Sequence, residues 1–236
     1  MILYNTLMGV AAGLALILIS LLIARLRLRK VVAAEGWAIS FGILGVILAV
    51  LGGLMSTTWP LTVNQPINIM FGEPSMFFGL LLIGASIFLW SRRSVIADLG
   101  SSDKKVADKA FDYLLDVLKP VSWVVFGLGL ALAACSIAIF RFTIVGAAPP
   151  EEPISGLLHN YPLIENTFFG IIYALPAVGA LLAPLMVRGK LSGGFTKLAV
   201  WCLLLGGIAF LLFSAMNFYT HMGLLVNLVK GDNFEF

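Results

Sequence analysis

The sequence predicts an all-α fold, an integral membrane bundle of six transmembrane helices. Of the 236 residues, 60% are hydrophobic and only 11% are charged, and the mean hydropathy is +1.03. A soluble globular domain does not have this composition. The uncharged runs each exceed the roughly 17 residues that a helix rising about 1.5 Å per residue needs to cross a bilayer. The lipid bilayer is therefore the first predicted partner.

Each predicted span corresponds to one uncharged run. We expect a single transmembrane domain over residues 1–236, with spans near 4–24, 36–56, 75–91, 120–140, 166–187 and 197–218. The last uncharged run continues to residue 229, which is longer than one crossing requires. The end of the chain is therefore expected either to project past the membrane as a helix or to lie along its surface.

The basic residues sort by side of the membrane. Thirteen of the fifteen Lys and Arg residues lie within 25–30, 92–119 and 188–197, which are the three connections on one side. Because basic connections stay in the cytoplasm, the sequence predicts a multi-pass protein of the cell membrane with both termini on the non-cytoplasmic side. No basic residue precedes the first span, which is therefore expected to be an uncleaved anchor. The clustering also explains the net charge of +3 without nucleic-acid binding.

Residues 102–118 predict an amphipathic cytoplasmic helix. Apolar residues recur from Ala107 to Leu118 at helical spacing, and a second face carries Asp108, Asp112 and Asp116. Ser102 is the expected N-cap. We expect this helix to lie in the membrane interface, or alternatively to offer a docking surface to a partner.

Small residues recur four positions apart within three spans. These rows are Gly9 and Gly13, then Gly45, Ala49 and Gly53, then Gly179 and Ala183. Such rows let helix backbones approach closely in a membrane. We expect them to pack the bundle internally, and self-association through the same rows is the alternative.

Prolines and cysteines give two further expectations. Pro176 and Pro184 each remove a backbone donor and should kink the fifth span. Cys135 and Cys202 fall in opposite halves of the membrane, too far apart for a disulfide. We expect both thiols to serve as small packing residues.

Two predicted hairpins share short motifs. One connection reads Trp59-Pro60-Leu61 and leads to Phe77-Phe78-Gly79, and the other reads Tyr161-Pro162-Leu163 and leads to Phe168-Phe169-Gly170. Both hairpins leave the cytoplasm and return to it. The similarity predicts a parallel internal repeat in which spans 2 and 3 match spans 4 and 5.

Side chains that can ligate a metal are concentrated on the predicted outer side. They are Glu73, His159, Glu165 and His221, with Glu151 and Glu152 nearby. Mixed His and carboxylate ligands suit a transition metal such as zinc, iron, copper or manganese. The sequence therefore names these four residues as a candidate metal site, although no HxxxH, ExxH or CxxC spacing accompanies them.

The two acids of this site have a structural alternative. Glu73 precedes Pro74 and Glu165 opens the fifth span, so each is expected at the N-terminus of a helix. A carboxylate there gains about 0.3 to 1 kcal/mol from the helix dipole. Arg141 is expected to reach the lipid headgroups or to pair with a carboxylate such as Glu73.

Most of the sequence resembles a known family, and the distinguishing motif lies in one loop. The matching features are the six spans, Trp59-Pro60-Leu61, the run NIMFGEP from Asn68 to Pro74, and Phe78-Gly79. They resemble an uncharacterised family of prokaryotic multi-pass membrane proteins, catalogued as a domain of unknown function. The resemblance implies a membrane protein without an assigned activity, and it carries over no catalytic residues.

Missing motifs guide the functional hypothesis. The middle of every predicted span lacks an ionisable residue, whereas ion-coupled transporters usually carry one. Nucleotide-binding and serine-hydrolase motifs are also missing. The leading hypothesis is therefore a non-catalytic accessory subunit that packs against other membrane subunits, or against copies of itself, in a larger assembly. The alternatives are a protein that binds a metal or small solute through the outer Glu and His residues, and a small transporter or channel.

Overall fold

The computed structural model describes residues 5–62, 64–145 and 160–230, the side chain of residue 228 apart, and all regular structure within them is helical. The helices are α1 (Asn5–Arg27), α2 (Ala34–Thr58), α3 (Pro66–Ser91), α4 (Arg93–Ala97), α5 (Lys104–Phe142), α6 (Pro162–Leu181), α7 (Ala183–Arg188) and α8 (Gly193–Lys230). A 3₁₀ turn, Asp98–Gly100, follows α4. Six segments in these ranges, with α6 and α7 counted together, are long and apolar enough to cross a membrane. The predicted all-α fold with six span-length helices is confirmed.

Helix α3 begins earlier than the predicted third span. Pro66 lies in its first turn, where the missing N–H of proline costs no hydrogen bond, and Pro74 lies inside the helix. The sequence analysis assigned the helix start to the second proline rather than the first. The predicted position of Glu73 at a helix N-terminus is therefore wrong.

Helix α5 joins two elements that the sequence analysis separated. It runs from Lys104 through Pro120 to Phe142, so the expected helix at 102–118 forms the first part of the fourth span's helix. The carboxylate of Asp103, rather than Ser102, caps it by accepting a hydrogen bond from the backbone N–H of Lys105 at 2.8 Å. The apolar face of this first part is buried within the same chain.

The fifth and sixth spans can be compared with the expectations from the prolines and from the length of the last uncharged run. The fifth span is interrupted at Leu182, between α6 and α7, just before Pro184. The other expected position, Pro176, lies inside the uninterrupted α6. Helix α8 continues without a break to Lys230, which is the projecting alternative for the chain end. Cys135 and Cys202 are both free thiols, as expected.

The long helices pack as three antiparallel pairs, α2 with α3, α5 with α6 and α8 with α1. Glycines bring the paired backbones into contact: a Cβ on Gly52 would lie 2.5 Å from the backbone N of Met76, and one on Gly13 2.5 Å from that of Leu211. Gly52 takes the place that the sequence analysis gave to Gly53, whose Cβ would meet only the Met76 sulfur at 3.6 Å. The small-residue rows therefore pack the bundle internally.

The three pairs form a ring. Helix α1 contacts α2, α3 contacts α5, and α6 contacts α8, so each pair touches the next. The helix termini near Arg27, Lys104 and Arg188 share one end of this ring, which we call the basic end. The opposite end carries the buried residues Asn68 and Asn166 and is called the asparagine end.

Candidate binding cavity

A cavity of about 310 Å³ lies inside the ring. Its lining comes from α1, α3, α5, α6, α7 and α8, with single residues from α2 and the α7–α8 connection. Only three of these described residues carry a polar side-chain atom, the hydroxyls of Ser75, Ser122 and Tyr173. Two of the hydroxyls are used within the protein, because Ser122 donates to the carbonyl of Lys119 and Tyr173 to that of Met70. The cavity therefore suits an apolar ligand.

Aromatic rings close the cavity toward the asparagine end. Phe71 packs edge-on against Phe169 and Tyr173, with ring centroids 6.1 Å apart in both pairs. Phe210 packs against Tyr173 at 5.5 Å. The hydrogen bond from the Tyr173 hydroxyl to the Met70 carbonyl, 3.0 Å long and buried, ties α6 to α3 at the same level. These contacts form a roof that joins all three helix pairs.

The first part of α5 closes the cavity toward the basic end. Its buried residues Phe111, Leu114 and Leu115 belong to an apolar cluster that also contains residues of α1, α2, α4 and α7. Leu118, one turn further along, already lines the cavity. The segment that the sequence analysis placed in the membrane interface is thus the floor of the cavity.

The wall of the cavity is weakest between α3 and α5. These neighbouring helices contact each other less than α1 and α2 do, and much less than α6 and α8 do. Along this junction the cavity residues Phe78, Leu81 and Val125 are only partly buried, and Val121 is 39% exposed. The cavity is therefore least enclosed on this side.

Buried asparagines hold the two hairpin connections at the asparagine end. The amide oxygen of Asn68 accepts from the backbone N–H of Leu61 at 3.0 Å, and its amide nitrogen donates to the carbonyl of the same residue at 2.9 Å. The amide oxygen of Asn166 accepts from the backbone N–H of Val145 at 3.2 Å, and its nitrogen donates to the carbonyl of Ile139 at 3.0 Å. Each asparagine thus satisfies backbone groups left open where the preceding helix ends.

The preceding helices also end in the same way. Trp59 after α2 and Thr143 after α5 both adopt left-handed backbone conformations, with φ of 46° and 51°. In each case the backbone N–H that the asparagine binds belongs to the residue two positions later. From the sequence, neither asparagine was predicted to bind backbone groups. The signal that identifies them is the shared pattern Asn-x-x-Phe-Gly, which is found at Asn68–Gly72 and Asn166–Gly170.

The four residues of the predicted metal site have different surroundings. Glu73 is exposed on α3, whereas Glu165 is 4% exposed in the first turn of α6, where its carboxylate complements the helix dipole as expected. His221 is buried on α8, and its Nδ1 shares a hydrogen bond of 2.6 Å with the hydroxyl of Thr6. His159, like Glu151 and Glu152, lies outside the described residues.

The described residues contain no group of three or more His, Cys, Asp or Glu side chains arranged to hold a metal. Arg141 lies exposed in the last turn of α5, and within residues 5–62, 64–145 and 160–230 it forms no ion pair with Glu73. The metal site therefore stays a prediction.

Charged contacts of the described residues cluster at the basic end. The Arg29 guanidinium lies 3.3 Å from the Asp108 carboxylate and stacks 3.6 Å from the centre of the Phe111 ring. Weaker pairs at 3.9 Å join Arg93 to Glu35 and Lys190 to Asp112. The side chains of these pairs are 41–71% exposed, so each pair contributes little to stability. The pairs of Asp108 and Asp112 join the first part of α5 to the connections that follow α1 and α7.

The comparisons with known proteins give one match. No curated protein and no solved structure matches the chain. The profile of a family described as "Protein of unknown function (DUF981)" matches residues 1–223, nearly the whole chain. The protein therefore belongs to this family of unknown function.

Proposed function

We propose that this multi-pass membrane protein binds the acyl chain of a membrane lipid in its central cavity. The observation that carries the proposal is an apolar cavity of about 310 Å³ within helices of membrane-spanning length. An acyl chain matches the lining, which offers methyl, methylene and aromatic groups and, among the described residues, no charge. Pockets for small ligands have volumes of roughly 300 to 1,000 Å³, so the cavity is large enough to hold part of one lipid.

An energetic argument supports an occupant. Apolar cavities cost about 24 cal/mol per Å³ when the surroundings cannot collapse, which for a fully enclosed empty space of this size is at most about 7 kcal/mol. Lipid chains surround the protein and can supply the missing contacts. Filling the cavity with an acyl chain therefore removes a cost that the helix packing alone would bear.

The test is photochemical capture of a lipid. The protein is placed in nanodiscs containing phosphatidylcholine with a diazirine on one acyl chain, illuminated, digested and analysed by mass spectrometry. Adducts are expected on cavity residues of α3 and α5. Ala12→Trp places a large side chain in the cavity and should lower this capture at least fivefold, whereas Leu14→Trp, on the lipid-facing side of the same helix, should not. Equal labelling in both variants, or adducts confined to the outer surface, would refute the proposal.

We further propose that the basic end lies in the cytoplasm and that α1 begins, and α8 ends, on the other side of the cell membrane. The clustering of basic residues at one end of the ring supports this orientation through the positive-inside rule. Labelling of single cysteines in intact cells tests it. Thr62→Cys should react with a membrane-impermeant maleimide from outside and Lys109→Cys only after lysis; the reverse pattern would overturn the orientation.

The hairpins α2–α3 and α5–α6 are proposed to be a parallel internal repeat. Support comes from equivalent contacts: a Cβ on Gly72 would meet Ser56 Oγ at 2.6 Å, and one on Gly170 would meet the Phe140 ring. Ser56 and Phe140 each lie three residues before the left-handed residue that ends their helix. The matching motif proposed for the repeat is therefore Asn-x-x-Phe-Gly, which in the first hairpin ends at Gly72, two turns before Gly79, and in the second ends at Gly170, as Phe-Phe-Gly does.

Membership in a larger membrane assembly stays a second proposal. One of its motivations is weaker than expected, because the apolar face of the first part of α5 packs within the same chain. Mass spectrometry of the protein purified in mild detergent tests it, and a lone monomer without a partner would count against it. Elemental analysis of the same sample, with His159→Ala and His221→Ala as controls, tests the metal alternative, and flux into liposomes tests the transporter alternative.

A further inference from the structure

The pair α8–α1 repeats the contacts of the two hairpins, although its helices come from opposite ends of the described chain. A Cβ on Gly9 would lie 2.8 Å from Ser214 Cβ, as one on Gly72 would meet Ser56. Gly207 would meet the Gly13 carbonyl oxygen and Ile17 N, both at 2.9 Å. Gly45 would meet the Gly79 carbonyl oxygen and Ile83 N, again both at 2.9 Å. The contacts of Gly207 and Gly45 are alike in kind, although they lie about one helical turn apart when Gly9 is matched with Gly72 and Ser214 with Ser56.

The sequence of α1 carries the matching motif. It begins Asn5-Thr6-Leu7-Met8-Gly9, which is Asn-x-x-Met-Gly and parallels Asn68–Gly72 and Asn166–Gly170. The motif in α1 differs from the other two in its hydrogen bonding. The amide oxygen of Asn5 is buried, but it accepts no hydrogen bond from the described residues, whereas those of Asn68 and Asn166 each accept one from a loop N–H. Helix α8 explains this difference, because it continues through Asn217 to Lys230 where α2 and α5 end, so no loop N–H is presented.

The ring order fits three equivalent units. In each unit the first helix is α2, α5 or α8 and the second is α3, α6 or α1. The second helix of every unit contacts the first helix of the next, at the junctions α3–α5, α6–α8 and α1–α2. We call these junctions seams. Equivalent seams in a ring of equal units have equal widths unless their side chains differ.

The seam α6–α8 is closed by small residues. A Cβ on Gly206 would lie 3.2 Å from Leu175 Cβ and 3.1 Å from Pro176 Cδ, and one on Gly179 would meet the Leu203 side chain at 2.7 Å. Matching Phe140 with Ser214 places Leu132 of α5 where α8 has Gly206, and matching Gly72 with Gly170 places Leu81 of α3 where α6 has Gly179. Both leucines line the cavity. The seam α3–α5 therefore carries leucines at the two positions where α6–α8 has glycines, and its two helices contact each other less than α6 and α8 do.

We propose that the seam α3–α5 is the portal through which the acyl chain of a membrane lipid enters the cavity from the bilayer. This inference rests on the proposed function, because it names the route to the same site. Entry from the bilayer requires neither end of the ring to open, since the aromatic roof and the α5 floor stay in place. The hydrophobic side chains of the seam present no polar barrier to a hydrocarbon chain.

Cysteine pairs at equivalent positions of the two seams test the portal in a Cys135→Ala, Cys202→Ala background. Leu175→Cys with Gly206→Cys spans the closed seam, where the 3.2 Å between Cβ positions is close to the spacing in a disulfide. Phe77→Cys with Leu132→Cys spans the portal at the equivalent height. Oxidation should link the first pair readily and the second at least tenfold more slowly. Equal rates would show that the seams do not differ and would refute the portal.

The second stage uses a reducible bis-methanethiosulfonate linker and the diazirine phosphatidylcholine as the lipid probe. Linking Phe77→Cys to Leu132→Cys in delipidated protein should slow lipid capture at least tenfold, and reduction should restore it. Linking the closed seam should change the rate less than twofold. Unchanged capture with the portal linked refutes the portal and leaves the binding site standing, whereas no capture by the unlinked protein refutes the binding site itself. If a pair does not fold, Leu81→Cys with Val125→Cys and Gly179→Cys with Ala199→Cys provide a second matched set.

Discussion

Contacts inside the helix pairs differ in kind from contacts between them. Inside a pair, glycines bring backbone against backbone, as at Gly45 and Gly79, and buried asparagines bind the connecting loop. Between pairs, as at Gly179 and Gly206 in the seam α6–α8, the nearest atoms belong to side chains, and a cavity of about 310 Å³ remains. The comparison teaches that the pair is the rigid unit. Hydrogen bonds also cross between pairs, from Tyr173 to Met70 and from Asn64 to Ile144, but both lie toward the asparagine end of the ring. A ligand that enters through a seam therefore disrupts fewer contacts than one that enters between the two helices of a pair.

The strongest way to break the comparison is to separate a pair. Gly79→Leu places a side chain against the backbone of α2, where a Cβ would meet Ala49 and the Gly45 carbonyl oxygen. Overpacking against a neighbouring backbone that cannot move should lower the free energy of unfolding by about 3 kcal/mol or more. Gly84→Leu is the control, since a Cβ there meets nothing within 4 Å. Thermal unfolding in detergent, followed by size-exclusion chromatography, measures both; equal midpoints would contradict a backbone-to-backbone pair.

A smaller effect is expected from the loop asparagine. Asn68→Ala removes two hydrogen bonds to Leu61 and leaves its buried N–H and C=O without these partners. The expected loss is about 1 to 3 kcal/mol. Hydrogen exchange should rise at Leu61 and leave the basic end unchanged. Thr62→Ala, an exposed neighbour in the same loop, serves as the control, and similar exchange in the two variants would show that the asparagine does not hold the loop.

The floor of the cavity should respond more weakly still. Arg29→Ala removes an exposed ion pair with Asp108 and the stacking of the guanidinium on Phe111, together worth about 1 kcal/mol. Salt should screen the ion pair but not the stacking. Arg27→Ala is the control, because Arg27 is exposed and has no ion pair among the described residues. If Arg29→Ala and Arg27→Ala unfold at the same temperature in low salt, the contacts at Arg29 do not hold the floor.

The sequence predicted the number and length of the membrane-spanning helices better than it predicted their boundaries and the contacts between them. Uncharged runs locate the six spans because lipid contact requires apolar side chains over a fixed length. Pattern reasoning placed the start of α3 at Pro74 and separated the first part of α5 at Pro120, since either proline can begin a helix or lie within one. The cavity was not predicted, because its lining residues differ in no chemical way from those that face lipid. Asn68 and Asn166 were visible as polar residues, but only their shared spacing to a glycine indicates their role.

The smallest effect is expected from the change that looks most drastic, a circular permutation. Joining residue 236 to residue 1 through a Gly/Ser linker and opening the chain between Lys30 and Val31 makes α8 and α1 consecutive, so that all three units become uninterrupted hairpins. Val31 is 65% exposed, and the cut crosses a connection between units. The free energy of unfolding should therefore change by no more than about 1 kcal/mol, because loop closure depends weakly on loop length.

Opening the chain between Asn64 and Gln65 instead divides the hairpin α2–α3 beside its asparagine, and this permutant should be less stable by about the loss expected for Asn68→Ala. If the first permutant is the less stable of the two, α8 and α1 do not act as one unit, and the equivalence of the three seams fails with it.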